Sequence, residues 1–359
     1  MRIGIITMIS DNYGNRLQNY ALQEALIKIG NTVETLNNPW EDDYNKHKEL
    51  IKQNIKKLFY ILFRIPLRYK RKIKFDKFNN ENIIFSNLWL NQEKDRRKAN
   101  EYFDLFVCGS DQVWNSEAKE INGKYFAAFA DENKRISYAA SFGIESIMEE
   151  RKEEFTNYLK GMKYISVREQ SGIKIVEELT GNKAYCHIDP TLLLNASEWD
   201  AIATECPTNK ERYIFCYFLG KPSQRILREI EKYKEKNKIK VYSISSEYDA
   251  THNNVGPEEF IALIRDAEFV LTDSFHGTVF SIIYQKPFYS FSRNGVKESM
   301  DTRILSLLDL SGLEDRFEPQ MLDLEKIYKI NFNDSKISLE KERKKAMKYL
   351  KMVSNVDDN

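Results

Sequence analysis

Residues 2–30 read RIGIITMISDNYGNRLQNYALQEALIKIG, and three pieces succeed one another in them. The apolar run 2–8 has the length of a buried strand. A polar loop holding Gly14 comes next. Beyond it Leu17, Ala21, Leu22, Ala25, Leu26 and Ile29 fall on one face of a helix, and Gly30 is a natural stop. This is a β-loop-α unit, the building block of a parallel sheet.

The same scheme recurs along the chain. Apolar strands are expected at 103–108 before GSDQVWN, at 136–141 before Phe142 and Gly143, and at 164–167 before Arg168, Glu169 and a helix ending near Gly181. Short continuous apolar strands between helices suit a sheet buried on both faces. After Ile188, Asp189, Pro190 and Thr191 the pattern restarts: strand 213–219, helix 224–236, strand 240–244, helix 258–265, strand 269–272, helix from about 278 to 284, and strand 287–291. The expected fold class is therefore α/β, with two Rossmann-like domains whose parallel sheets face across a cleft. Their expected bounds are 1–195, with a basic amphipathic insertion at about 46–100, and 196–330. A helix and tail at 331–359 are expected to pack back across the domains.

Whole-chain properties agree with such a fold. The 359 residues exceed one comfortable core, and 42% hydrophobic residues with 21 Phe and 20 Tyr supply ample surface to bury. Four cysteines, Cys108, Cys186, Cys206 and Cys216, form no CxxC pair, and Met1 runs directly into the first strand, so a cytoplasmic location is expected. No apolar run reaches the roughly 20 residues of a membrane span. Net charge is +1, which speaks against a nucleic-acid partner. The charge is uneven, however: 46–77 holds 12 Lys and Arg against Glu49 and Asp76, while the remainder holds 43 basic and 52 acidic residues. In that segment Ile51, Ile55, Leu58, Phe59, Leu62 and Phe63 recur at helical spacing. Such a helix suits peripheral contact with an anionic membrane; core packing with a solvated lysine face is the alternative.

In open parallel sheets ligands sit beyond the carboxyl ends of the strands. The residues at those ends are polar here: Asp11, Asn12, Gly14 and Asn15; Gly109, Ser110, Asp111 and Gln112; Ser141 and Gly143; Arg168; Gly220 and Lys221; Asp273, Ser274, His276 and Gly277. Gly14 and Asn15 stand at the mouth of the first helix, where N–H groups and the helix dipole hold an anion, or where Asn12 and Asn15 cap the helix. Gly109 permits close backbone approach, and Ser110 and Asp111 either face a ligand or cap the next turn. GxGxxG and GxxxxGK[ST] are absent, which removes the sequence support for NAD or ATP chemistry, and the Cys and His spacing supports no metal site. Arg168 can clamp a carboxylate or phosphate, or equally form a salt bridge in the neighbourhood of Glu169. Lys221, Arg293 and Arg303 are weaker cationic candidates. Among four histidines, His276 in VLTDSFHGTVFS has the setting of a general acid or base, with a capping role as the alternative. Asp273, Ser274 and His276 are too close in sequence to form a triad in relay.

Taken together, DNYGNRLQNYALQ, VCGSDQVWN, YAASFG, ISVRE, IDPTLLL and DAEFVLTDSFHGTVFS resemble the polysaccharide pyruvyl transferase family. The resemblance runs from about residue 1 to about residue 315 and leaves out 46–101 and the tail. It implies a fold like the two-Rossmann-domain (GT-B) glycosyltransferases, with phosphoenolpyruvate as donor and no other cofactor. The product would be a pyruvate ketal on a hydroxyl pair of a cell-surface polysaccharide or a lipid-linked saccharide precursor. It further implies that His276 is the acid/base and that Arg168 holds the donor. Asn12, Gly14, Asn15, Gly109, Ser110, Asp111, Gly143, Lys221, Ser274 and Gly277 are the accompanying binding candidates. Many members carry arginine two places before the histidine, where this chain has Ser274, so either a second cation for the donor comes from elsewhere or the donor is a different one. A nucleotide-sugar glycosyltransferase and a non-catalytic glycan-binding protein are the rival readings, since the same fold serves both.

Overall fold

The computed structural model describes residues 1–38, 67–118, 121–208, 211–245, 254–294, 301–320 and 322–354. The chain divides into two units, Met1–Leu193 with Arg343–Asn359, and Leu194–Glu342.

The first unit opens with strand β1 (Arg2–Ile6), helix α1 (Tyr13–Lys28) and strand β2 (Thr32–Asn37). Asn12 caps α1 by accepting from Asn15 N, and Gly30 leaves the helix at φ +88°, a conformation that only glycine enters freely. Leu17, Ala21, Leu22 and Leu26 are fully buried, as the spacing predicts. So are Arg16, Gln18 and Asn19, which lie on the face that reads as polar. Asn19 donates to Thr35 Oγ1 of β2 at 2.8 Å, and Gln23 accepts from Ile84 N at 2.8 Å, so both buried amides are satisfied by neighbouring segments.

Helix α2 (Leu67–Asn82), strand β3 (Phe85–Trp89), helix α3 (Glu93–Tyr102) and strand β4 (Leu105–Cys108) come next. The sheet runs in the order β3-β2-β1-β4-β5, all parallel, with β5 at Arg135–Ser137. Residues 67–102, expected as part of an insertion, therefore supply the edge strand and two helices of the sheet itself. Phe75, Phe78, Leu90 and Ala99 are buried there, which anchors the segment to the core. The proposed lipid-facing positions Ile51 to Phe63, and the basic segment as far as residue 66, lie outside the described residues. Helix α4 (Lys152–Lys160), strand β6 (Ile165–Val167), helix α5 (Gln170–Thr180) and strand β7 (Ala184–Cys186) complete the unit. Bridges Ile136–Tyr164 and Ala140–Val167 continue the ladder from β5 to β6.

In the second unit, helix α6 (Ala196–Asp200) precedes strand β8 (Tyr213–Phe218), helix α7 (Gln224–Asn237) and strand β9 (Lys240–Ser245). Helix α8 (Pro257–Arg265), strand β10 (Phe269–Thr272), helix α9 (Phe275–Ile283) and strand β11 (Phe288–Ser290) come after them. The sheet order is β11-β10-β8-β9, again all parallel. Every residue of β8, β10 and β11 is buried, and Trp199 meets Phe280 at 4.9 Å beneath α9. Each such fully buried side chain contributes about 1.5–3 kcal/mol. Helix α10 (Asp301–Ser311) and helix α11 (Asn333–Val353) close the chain. The end of α11 is fastened within the first unit: Arg343 Nε donates to Leu192 O at 2.6 Å and Tyr349 OH to Ser137 O at 2.9 Å. Among the described residues no helix is long and apolar enough to cross a membrane.

Candidate functional site

In the first unit the strand order reverses between β1 and β4, where a doubly wound sheet opens a crevice. The loops at that point are stitched together by side chains. Gln18 Nε2 donates to Thr7 Oγ1 at 2.8 Å, and Gln18 Oε1 accepts from Ser110 N at 3.0 Å. Asn15 Nδ2 donates to Asp111 Oδ2, while Ser10 Oγ donates to Asn15 Oδ1. Gly109 has φ +116°, and a Cβ there would lie 2.4 Å from Tyr138 O, so the turn admits only glycine. Asn12 serves as the α1 cap, and Gly14 and Asn15 occupy the first helical turn.

Arg168 lies just past β6 and is 6% exposed. Its Nη1 donates to Asp189 Oδ2 at 2.8 Å, with Asp111 Oδ1 3.7 Å from Nη2 and Glu169 Oε2 3.9 Å from Nε. Burial works against the charge of this guanidinium, yet the three carboxylates outweigh it and its pKa is raised. Asp189 also accepts from Ser110 Oγ at 3.2 Å and from Thr191 Oγ1 at 2.6 Å. Glu169 Oε1 gathers Ser141 Oγ, Phe142 N and Gly143 N at 2.8–3.1 Å. Gly143 stands at φ +65°, with Gln112 Nε2 in the space that a Cβ would need. The charge of Arg168 is thus met by the protein's own carboxylates. Asp189, which reads in sequence only as a boundary, is its principal partner, followed by Asp111 and then by the adjacent Glu169. The three-residue strand β7 that places Asp189 is too short to show as an apolar run.

A second buried cation has no signal in the sequence pattern. Arg16, one turn into α1, donates to Met8 O and is fully buried. Desolvation lowers its pKa to about 10 against the pull of Asp11 and Asp111. His187, by contrast, is structural. It shares a 2.8 Å hydrogen bond with Ser166 Oγ and packs against the rings of Tyr138, Tyr185 and Tyr349. Desolvation first, and Lys345 second, lower its pKa to about 4.

In the second unit the order reverses between β8 and β10. Asp273, just past β10, accepts from Leu219 N at 2.6 Å and from Gly220 N at 2.7 Å, joining the two loops. Burial raises its pKa, opposed by those N–H groups and by Arg293. Helix α9 begins at Phe275, three residues earlier than expected, because Ser274 caps it: Ser274 Oγ accepts from Gly277 N at 3.4 Å. Ser274 N in turn donates to Thr272 Oγ1 at 3.0 Å. A Cβ on Gly277 would lie 2.4 Å from that same Thr272 Oγ1, so glycine is required for the helix to start so close to the strand. His276 accordingly lies in the first helical turn, 7% exposed, with its ring 5.2 Å from that of Phe275. Lys221 is exposed, and its carbonyl accepts from Asn294 Nδ2 at 3.0 Å. Among the described residues no group of three or more His, Cys, Asp or Glu is arranged to hold a metal.

Comparison with known proteins gives a family and a fold. The family model described as polysaccharide pyruvyl transferase matches residues 12–295. Among solved structures, UDP-GlcNAc 2-epimerase from Methanocaldococcus jannaschii aligns over 99% of this chain and 100% of its own at 13% identity and TM-score 0.51. S. aureus MnaA, solved with UDP, aligns over 100% and 98% at 10% identity and TM-score 0.51. Identities this low carry the fold alone: two Rossmann-like α/β units built on parallel sheets. No curated protein matches the chain.

Proposed function

Because the chain belongs to the polysaccharide pyruvyl transferase family, we propose that it moves the pyruvyl group of phosphoenolpyruvate onto two hydroxyls of a saccharide as a ketal. The acceptor in this reading is a cell-surface polysaccharide or its lipid-linked precursor. One observation carries the proposal: the late motif DAEFVLTDSFHGTVFS holds His276 in the first turn of α9, beside the strand-order reversal of the second unit.

The chemistry rests on what that histidine can do. Protonation of C3 of the enol makes C2 electrophilic. One sugar hydroxyl adds to C2 and gives up its proton. The bond between C2 and the phosphate oxygen breaks, and phosphate leaves with the electron pair. The second hydroxyl then adds to C2, gives up its proton and closes the ketal. An imidazole is suited to deliver and take such protons near neutrality, and His276 is assigned that work. Neither a metal nor a redox cofactor is part of the scheme. Arg168 is assigned a supporting task, since its guanidinium orders Asp111 and Asp189 at the loops of the first unit.

The fold it shares with a UDP-bound protein makes a nucleotide-sugar transferase the reading to test against. Incubating the protein with phosphoenolpyruvate and a panel of glycans, with phosphate release and product mass as readouts, separates the two. Phosphate release together with a gain of pyruvate less one water is expected. Inert phosphoenolpyruvate alongside consumption of a UDP-sugar would replace the proposal with its rival.

A further inference from the structure

Phosphoenolpyruvate brings a phosphate and a carboxylate, and the amino end of a helix offsets only about half a unit of charge. The first turn of α9 holds no acidic residue, yet Ser274 at its head contributes a cap and no positive charge. Two arginines of the same unit stand beside that turn. Arg293 lies past β11, and its stem lies where Gly220 has no side chain: a Cβ on Gly220 would come within 2.8 Å of Arg293 Cγ. From there it acts electrostatically on Asp273, at the end of β10. Arg303, in the first turn of α10, is 7% exposed. Its guanidinium sits 5.8 Å from the centroid of the Phe275 ring, which is in turn edge-on to His276. Stacking on an aromatic ring fixes the plane of a guanidinium while leaving its edge N–H groups directed sideways. Arg316 of the same unit belongs to a different cluster, where its guanidinium donates to the carbonyls of Ile327 and Lys329 and pairs with Asp315.

We infer that Arg293 and Arg303 hold the phosphate and carboxylate of the donor at the head of α9, supplying the positive charge that Ser274 lacks. The inference rests on the transfer proposed above for its donor, while its charge chemistry applies to any phosphate-bearing ligand.

Binding of inorganic phosphate, phosphoenolpyruvate and UDP-GlcNAc to the full chain, measured by calorimetry at two salt concentrations, tests it. Arg293→Gln and Arg303→Gln are each expected to weaken phosphoenolpyruvate about ten- to a hundredfold, the range for losing a hydrogen bond to a charged group. KM should rise more than kcat falls, and the salt dependence of binding should flatten. Arg293→Lys and Arg303→Lys should recover part of the loss, and they serve if a Gln variant fails to fold. Arg225→Gln, a surface arginine paired to Glu318, is the matched control and should bind as the parent does. Unchanged phosphoenolpyruvate and phosphate affinity in folded Gln variants would overturn the inference and leave the transferase reading standing, as would a parent protein that turns phosphoenolpyruvate over yet shows no arginine-dependent binding. If UDP-GlcNAc binds and is lost in the variants while phosphoenolpyruvate is inert, the arginine site holds and the pyruvyl reading falls.

Discussion

The loops past β1 and β4 in the first unit and those past β8 and β10 in the second occupy equivalent places, where strand order reverses in a parallel sheet. Their chemistry differs. In the first, Asp111, Glu169 and Asp189 surround Arg168, so the guanidinium is committed to the unit's own carboxylates. In the second, the carboxylate of Asp273 is occupied by two backbone N–H groups, and His276, Arg293 and Arg303 stand around the head of a helix. Topology sets where a ligand site lies, and the side chains decide what charge it accepts. A network bonded to itself is expected to report mainly on stability, and a histidine at a helix head mainly on turnover.

The largest expected effect sits in the second unit. His276→Ala should lower phosphate release from phosphoenolpyruvate by about 10²–10⁴-fold, the usual share of a general acid or base, with the melting temperature close to that of the parent. Turnover that survives the change would remove His276 from the mechanism and dissolve the contrast between the units. Next comes Asp189→Asn, which leaves Arg168 buried beside a neutral amide. Leaving a buried charge wholly uncompensated costs about 3–5 kcal/mol; with Asp111 and Glu169 still beside Arg168, urea unfolding should show a loss at or below the lower end of that range. A fully stable variant with no activity would instead place the first unit's network in the chemistry.

The smallest effect sharpens the structural character of the first unit. The His187 imidazole has a native pKa near 4 against an ordinary value near 6.5. The unfolded chain therefore binds the extra proton throughout that interval, and stability is full above about pH 6.5 and falls as pH drops toward 4. The loss is on the order of 2–3 kcal/mol. Urea midpoints at pH 7 and pH 4.5 should lie closer together in His187→Phe than in the parent; an equal spread would show that this ring does not titrate between the two states.

Legibility varies with the kind of element. Strands β4, β8 and β10 are evident in the sequence because LFVC, YIFCYF and FVLT are unbroken apolar runs. Strands β2 and β3, TVETLN and FSNLW, carry polar residues among the apolar ones and give no such signal. Without β3, residues 67–102 read as an insertion. At α9, the apolar run TVFSII marks the helix, but its start depends on Ser274 as cap, and a serine after a strand reads equally well as a ligand contact. Gly109 and Gly277 stand out even in one dimension, and the structure gives the reason: a turn hard against a neighbouring strand leaves room for nothing larger.

What the sequence determined by itself is the series of strand-loop-helix units, their division into two sets, the family, and the identity of the residues at the strand ends. The family rests on the resemblance of the six quoted motifs taken together, and the rest on short-range signals: apolar run length, helical spacing and glycine at turns. Tertiary structure alone decided that Arg168 is enclosed by carboxylates from three separate loops, that Arg16 is buried on a helix face that reads as polar, and that Arg303 lies on the ring beside His276. Burial and charge pairing depend on which segments the folded chain brings within a few ångströms, and no local pattern encodes that.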